Sequence, residues 1–153
     1  MPIYGVSSLE MLALAGMSRG ANVAVPVIDA RRKEVYALRA RAMGPDDLEV
    51  LEPAQVLAPA TLAEQLQAAP AVLVKHASDG DLFAAELGEA MLVEVSPEVA
   101  VRLVLSRLAR AAAGETGAAV ALSTEPQYLR RPDVHSGAHA QPAAQGNPYA
   151  PGA

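Results

Sequence analysis

Four clusters in this chain combine residue types that can do chemistry. Arg31-Arg32-Lys33 sets three cations in a row between Asp29 and Glu34. Such a run can meet a phosphate backbone or an acidic partner. A short charge run ordinarily just faces water, and the neighbouring carboxylates neutralise it locally. Lys75-His76-Ala77-Ser78-Asp79-Gly80 places an amine, an imidazole and a hydroxyl together. The loop has no glycine-rich phosphate cradle of either familiar spacing. A Ser and a His close in sequence do not by that fact make a nucleophile and its base, and Asp-Gly favours an ordinary turn. His135 and His139 have the spacing of a metal pair on one helix face, but Ser136-Gly137-Ala138 between them disfavours a helix. A structural metal site would need further ligands, so the spacing reads as accidental. Tyr128-Leu129-Arg130-Arg131-Pro132 joins an amphipathic ring to two guanidinium forks. Tyr128, Arg130 and Arg131 suit either an interface anchor or a strap across the chain's own domain. None of these groups supplies a nucleophile with a base, a metal cluster or a phosphate loop, so no catalytic residue, metal or cofactor is expected.

The elements that must position them follow from periodicity. Val23-Ala24-Val25-Pro26-Val27-Ile28 and Val35-Tyr36-Ala37-Leu38 are β-prone runs about a basic link, predicting an antiparallel hairpin. Pro26 cannot donate to a ladder, which predicts an edge or a bulge for the first strand. Gly44-Pro45-Asp46-Asp47 marks a turn, and Leu48-Glu49-Val50-Leu51-Glu52 alternates as a third strand. Pro59 suits the start of a helix through Ala68. Ala71 to Lys75 reads as a strand buried on both faces. A helix over Asp81–Leu87 and a strand over Met91–Val95 follow, with Val120-Ala121-Leu122 as a last short strand.

Two helices frame this region. Ser7 and Glu10 have capping-box spacing, opening a helix that runs to Met17 and is apolar on nearly every face. With little chain ahead of it to cover that helix, an exposed apolar patch is expected at Leu9, Leu12 and Leu14. Ser96 and Pro97 open the longest helix, with Gly114 as its stop. Its stripe of Val101, Val104, Leu105, Leu108 and Ala112 predicts the inward face, and Glu98, Arg102, Arg107 and Arg110 the wet one. On that reading Leu105→Ala costs about 2–5 kcal/mol.

The alternation of strands and helices indicates an α/β fold opened by an antiparallel β-meander with flanking helices. A chain of 153 residues fits one domain. With 52% hydrophobic but only 3% aromatic residues and no Trp, the core is built from Ala, Val and Leu. The net charge of −5 argues against binding RNA or an anionic membrane by bulk charge, so any such contact needs a local patch. No cysteine, no signal peptide and no spanning apolar run point to a cytoplasmic protein. Residues 133–153 are Pro, Gly, Ala, Gln and His without period, and read as a disordered tail after a domain of residues 1–132.

Gly5-Val6-Ser7-Ser8-Leu9-Glu10, then Asp29-Ala30-Arg31, Glu34-Val35-Tyr36 and Pro126-Gln127-Tyr128-Leu129-Arg130-Arg131 stand in an order that resembles the TsaB (YeaZ) family. The resemblance runs from Pro2 to about Pro132 and begins where such proteins are about half finished. It implies the second subdomain of an actin-like (ASKHA, ribonuclease-H-like) fold, incomplete relative to the family. It further implies a non-catalytic scaffold that partners TsaD and TsaE in bacterial tRNA threonylcarbamoyladenosine synthesis, meeting tRNA only through that complex. The family commonly has a Gly-Asp-Gly-like turn where Lys75-His76 stand here. A homodimer is a further way to cover exposed surface. A small nucleotide- or metabolite-binding domain using the Lys75–Gly80 loop is the alternative, as is a remnant without activity.

Overall fold

The structure, a computed structural model, describes residues 5–116. Tyr128, Arg130, Arg131, His135, His139, the expected strand at Val120–Leu122 and the tail lie outside the described residues. In order come α1 (Ser8–Met17), β1 (Val23–Arg31), β2 (Glu34–Ala42), β3 (Leu48–Leu57), α2 (Pro59–Ala68) and β4 (Val72–His76). A 3₁₀ turn (Ala77–Asp79), α3 (Ala84–Leu87), β5 (Met91–Val93) and α4 (Pro97–Ala112) complete it. The expected helix after Gly80 is thus reduced to four residues, and the strand at Met91 to three.

The strands form one five-stranded sheet in the order β3-β2-β1-β4-β5. The pairs β1–β2 and β2–β3 are antiparallel, whereas β4 and β5 run parallel to β1. Parallel neighbours need crossovers, and α2 and α3 lie in those connections. The result is a mixed α/β fold with helices flanking the sheet.

Pro26 does not mark an edge. β1 lies between β2 and β4, and Pro26 aligns with Val74 across the parallel pair. Nor does it mark a bulge: the pairs Ala24–Ala40 and Val27–Ala37 keep one register across it, and the register shift of this ladder lies at Asp29–Arg31. β3 continues through Pro53 to Leu57, and this strand is an edge of the sheet.

Side chains alternate between two cores, as the pleat requires. On one face Ala24, Leu38, Ala40 and Val74 pack with Leu9, Leu12 and Leu14 of α1 and Leu103 of α4. On the other Val25, Val27, Val35 and Leu73 pack with Leu62 of α2 and Leu87 of α3. The cap of α1 forms as its spacing predicts: Ser7 Oγ accepts from the Leu9 N–H at 3.2 Å, and Glu10 Oε2 accepts from the Ser7 N–H at 3.4 Å.

Two sequence expectations fail here. Leu9, Leu12 and Leu14 are 4%, 2% and 0% exposed, so they form core and no patch. The sheet and α4 supply the cover that α1 was expected to lack. The inward face of α4 is also rotated. Val99, Leu103 and Arg107 are buried, while Val101 and Leu105 are 55% and 59% exposed. The expected stripe lies largely on the outer side of α4, because the inward side is completed by charge. Arg107 Nη2 donates to Glu10 Oε1 at 2.8 Å, and Arg110 Nη1 donates to Asp47 Oδ2 at 2.6 Å. Asp47 is 2% exposed, and its carboxylate also accepts from the Ser106 hydroxyl and the Leu48 N–H. Hydrogen bonds to Glu115 and then Asp47 raise the Arg110 pKa still further above its ordinary value.

Candidate functional site at the carboxyl end of the sheet

Because β1, β4 and β5 are parallel, their carboxyl ends share one end of the sheet. Open α/β sheets place ligands in that position. Three segments leave the sheet there: the β1–β2 tip, the loop after β4, and the Glu94–Ser96 link into α4.

The tip is tighter than its sequence suggests. β1 runs to Arg31 and β2 starts at Glu34, leaving a two-residue connection, Arg32-Lys33. Arg31, Arg32 and Lys33 have φ of 65°, 52° and 60°. A two-residue hairpin turn with both φ positive matches the twist of its strands, and Asn-Gly usually supplies it. Here three long cationic side chains adopt the left-handed region, at a cost of order 1 kcal/mol or more each. Asp29 offsets part of it: Oδ1 accepts from the Arg31 N–H at 2.8 Å across the local register shift. All three cationic residues are exposed.

The loop after β4 resolves into local structure. His76 Nδ1 accepts from the Ser78 N–H at 3.1 Å and lies 2.8 Å from Ser78 Oγ. This imidazole caps the 3₁₀ turn. Among the described residues no group hydrogen-bonds the far nitrogen of this ring, so the nucleophile, base and orienting group of a triad are not assembled from them.

Lys75 belongs to the strand expected to be buried on both faces, and it lies beneath this loop. Its side chain is fully buried, and Nζ donates to the Leu82 carbonyl at 2.6 Å. Burial lowers its pKa from the ordinary 10.5, against the opposing pull of Asp79 and Asp81. An amine turned inward to a carbonyl ties Leu82 to the sheet and is withdrawn from any ligand outside. The next residue, Phe83, has φ 49°, a left-handed position uncommon for a bulky side chain. The apolar run ahead of Lys75 signals its burial, but nothing in the sequence names the Leu82 carbonyl as its partner.

Arg39 is a charged residue that sequence reasoning did not single out. It is 8% exposed, its Nη2 donates to the Ala69 carbonyl at 2.8 Å, and its Nε stands 3.7 Å from Glu52. With Gln55 and Gln65 it edges a shallow recess between the sheet and α2. Among the described residues no three His, Cys, Asp or Glu side chains come together as a metal site. No described helix is long and apolar enough to cross a membrane.

A scan against protein families finds no match, and neither does a search of curated proteins. Among solved structures the chain is similar to the crystal structure of an uncharacterized protein with similarity to peptidase YEAZ from Pseudomonas aeruginosa. The TM-score is 0.53 at 26% sequence identity, over 82% of this chain and 57% of that one. This chain therefore spans little more than half the length of that structure. The likeness supports a YeaZ-like fold for the region described.

Proposed function

We propose that this chain is a TsaB-like, non-catalytic scaffold subunit of tRNA threonylcarbamoyladenosine synthesis, built on an actin-like subdomain and partnering TsaD and TsaE. The observation that carries this reading is the YeaZ-like structural neighbour, in agreement with the ordered TsaB-like motifs. Three of those four motifs form defined structure: Ser7 to Glu10 cap α1, and Asp29–Arg31 with Glu34–Tyr36 form the β1–β2 hairpin. A supporting role for binding over chemistry comes from the site itself, where His76 and Ser78 are engaged in a cap and Lys75 is turned inward.

The test is co-purification of the full chain with TsaD, followed by reconstitution of threonylcarbamoyl transfer to tRNA with TsaE. A stoichiometric complex that stimulates transfer supports the reading. Absence of both binding and stimulation overturns it.

A further inference from the structure

We propose that Arg39 anchors a carboxylate-binding recess between the sheet and α2, taking the carboxylate of a small free acid or of an acidic side chain. The site is independent of the scaffold reading, which needs no ligand there.

Arg39 is buried without a buried counter-charge. Its side chain is 10% exposed, and Nη2 donates to the Ala69 carbonyl at 2.8 Å. Its Nε–H is buried and has no hydrogen-bond partner among the described residues. Glu52 Oε1 stands 3.7 Å from Nε, beyond hydrogen-bond reach, on a side chain that is 50% exposed. Two other arginines hold a buried Nε in the same state, but each has a carboxylate on another nitrogen. Arg107 Nη2 donates to Glu10 at 2.8 Å and Arg102 Nη1 to Asp46 at 3.4 Å. A buried charge is ordinarily paired and hydrogen-bonded, and Arg39 falls short on both counts.

The edge strand makes room beside it. β3 carries an extra residue on each side of the Arg39–Glu52 pair: Pro53 and Ala54 stand across from Leu38, and Leu51 has no counterpart on β2. Bulges of this kind commonly re-aim side chains beside binding sites. Around Arg39 the recess is lined by Glu52, Gln55 and Gln65, with buried Val25 and Leu62 as apolar wall. Its space is about 210 Å³ counting the open mouth, below the roughly 300 Å³ where metabolite pockets begin. One planar group fits such a space. A carboxylate oxygen on the Nε–H makes a charge-assisted hydrogen bond, strengthened by the apolar wall. Gln55 and Gln65 bring amide donors for the second oxygen. A planar monoanion suits the site better than phosphate, whose second charge would meet Glu52. Glu52 itself is the internal competitor for Arg39, held off at the solvent rim.

The test is a titration of the isotope-labelled full chain with sodium acetate, with sodium chloride at matched ionic strength as the control. The Arg39 Nε–H resonance, assigned by its loss in Arg39→Lys, should shift saturably with acetate and stay in place with chloride. The Kd should be on the order of 1–20 mM for so small a ligand. Glu52→Gln removes the competing charge and should tighten binding at least about threefold. Arg39→Lys keeps the charge and loses the guanidinium fork, so the acetate-induced shifts of the Gln55 and Gln65 amides should need at least about tenfold more ligand. A blocked tripeptide with a central glutamate is the second probe. Saturation by acetate assigns the site to free acids, and saturation by the tripeptide alone assigns it to an acidic side chain. No saturable shift with either probe, equal shifts with chloride, or binding undiminished in Arg39→Lys overturns the proposal. So does a Glu52→Gln chain that binds no tighter than the parent, which also decides the matter if Arg39→Lys does not fold.

Discussion

Arg107 of α4 and Glu10 of α1 meet at 2.8 Å across 97 residues of chain, with side chains 6% and 14% exposed. Glu10 Oε1 takes the guanidinium while Oε2 closes the α1 capping box. One carboxylate therefore both starts the first helix and fixes the last. Removing one partner of a buried pair leaves the other charge uncompensated, typically at about 3–5 kcal/mol. Arg107→Ala should cost that much in urea denaturation, and Glu10→Gln about 1–3 kcal/mol, because the cap is partly kept. A loss below about 0.5 kcal/mol for Arg107→Ala would show the pair to be structurally idle.

The rotated face of α4 separates two leucines two residues apart. Leu103 is 0% exposed and Leu105 is 59% exposed. Leu103→Ala should cost about 2–5 kcal/mol, and Leu105→Ala should stay within about 0.5 kcal/mol of the parent. Paired chemical denaturation curves decide it, and the reverse order would restore the face expected from the stripe.

Gly16 is a place where helix propensity points the wrong way. Alanine is favoured over glycine by about 1 kcal/mol inside a helix. A Cβ here would stand 2.7 Å from Val74 Cγ2. Gly16→Ala should therefore lose about 1–3 kcal/mol by overpacking. In the background Val74→Ala that added loss should largely vanish, and a double-mutant cycle showing simple additivity would refute the contact.

Lys75 sets an alkaline signature. Its folded-state pKa is lowered by burial, so the unfolded chain holds this proton more tightly. Between the lowered folded value and the unfolded value near 10.5, the unfolded state binds more protons and stability rises with pH. Below both values this residue adds no slope. Lys75→Met removes the titrating group, so the parent should gain stability relative to the variant as pH rises through that window. Urea midpoints from neutral pH to about pH 10 test this, and parallel profiles would contradict it.

Elements with strong local signals were legible in the sequence. Ser7 with Glu10 named the first helix start, Pro59 the second, and Pro97 with Gly114 bounded the last. The hairpin was legible as well, though its tip is two residues shorter than its polar link. What could not be read was every feature that depends on a distant partner. Arg107 and Arg110 look like a wet face until Glu10 and Asp47 arrive from elsewhere in the chain. Lys75 ends a run legible as a buried strand, but the Leu82 carbonyl that satisfies its amine is not visible in the sequence. Pro26 looks like an edge or bulge marker because the sequence shows the missing donor, whereas it lies in a central strand whose register runs unbroken across it.

The outer strand β3 bears on how this molecule would misbehave when concentrated. Ten residues of open edge could template another extended chain, but Pro53 deletes a donor and register shifts disturb its pairing to β2 beside Arg39. Fibre growth by strand stacking is thereby discouraged. The ridge of Val101, Leu105 and Leu108 has no such guard. Crowding should consequently produce reversible, dilution-sensitive clusters joined through helices, and no thioflavin-positive filaments.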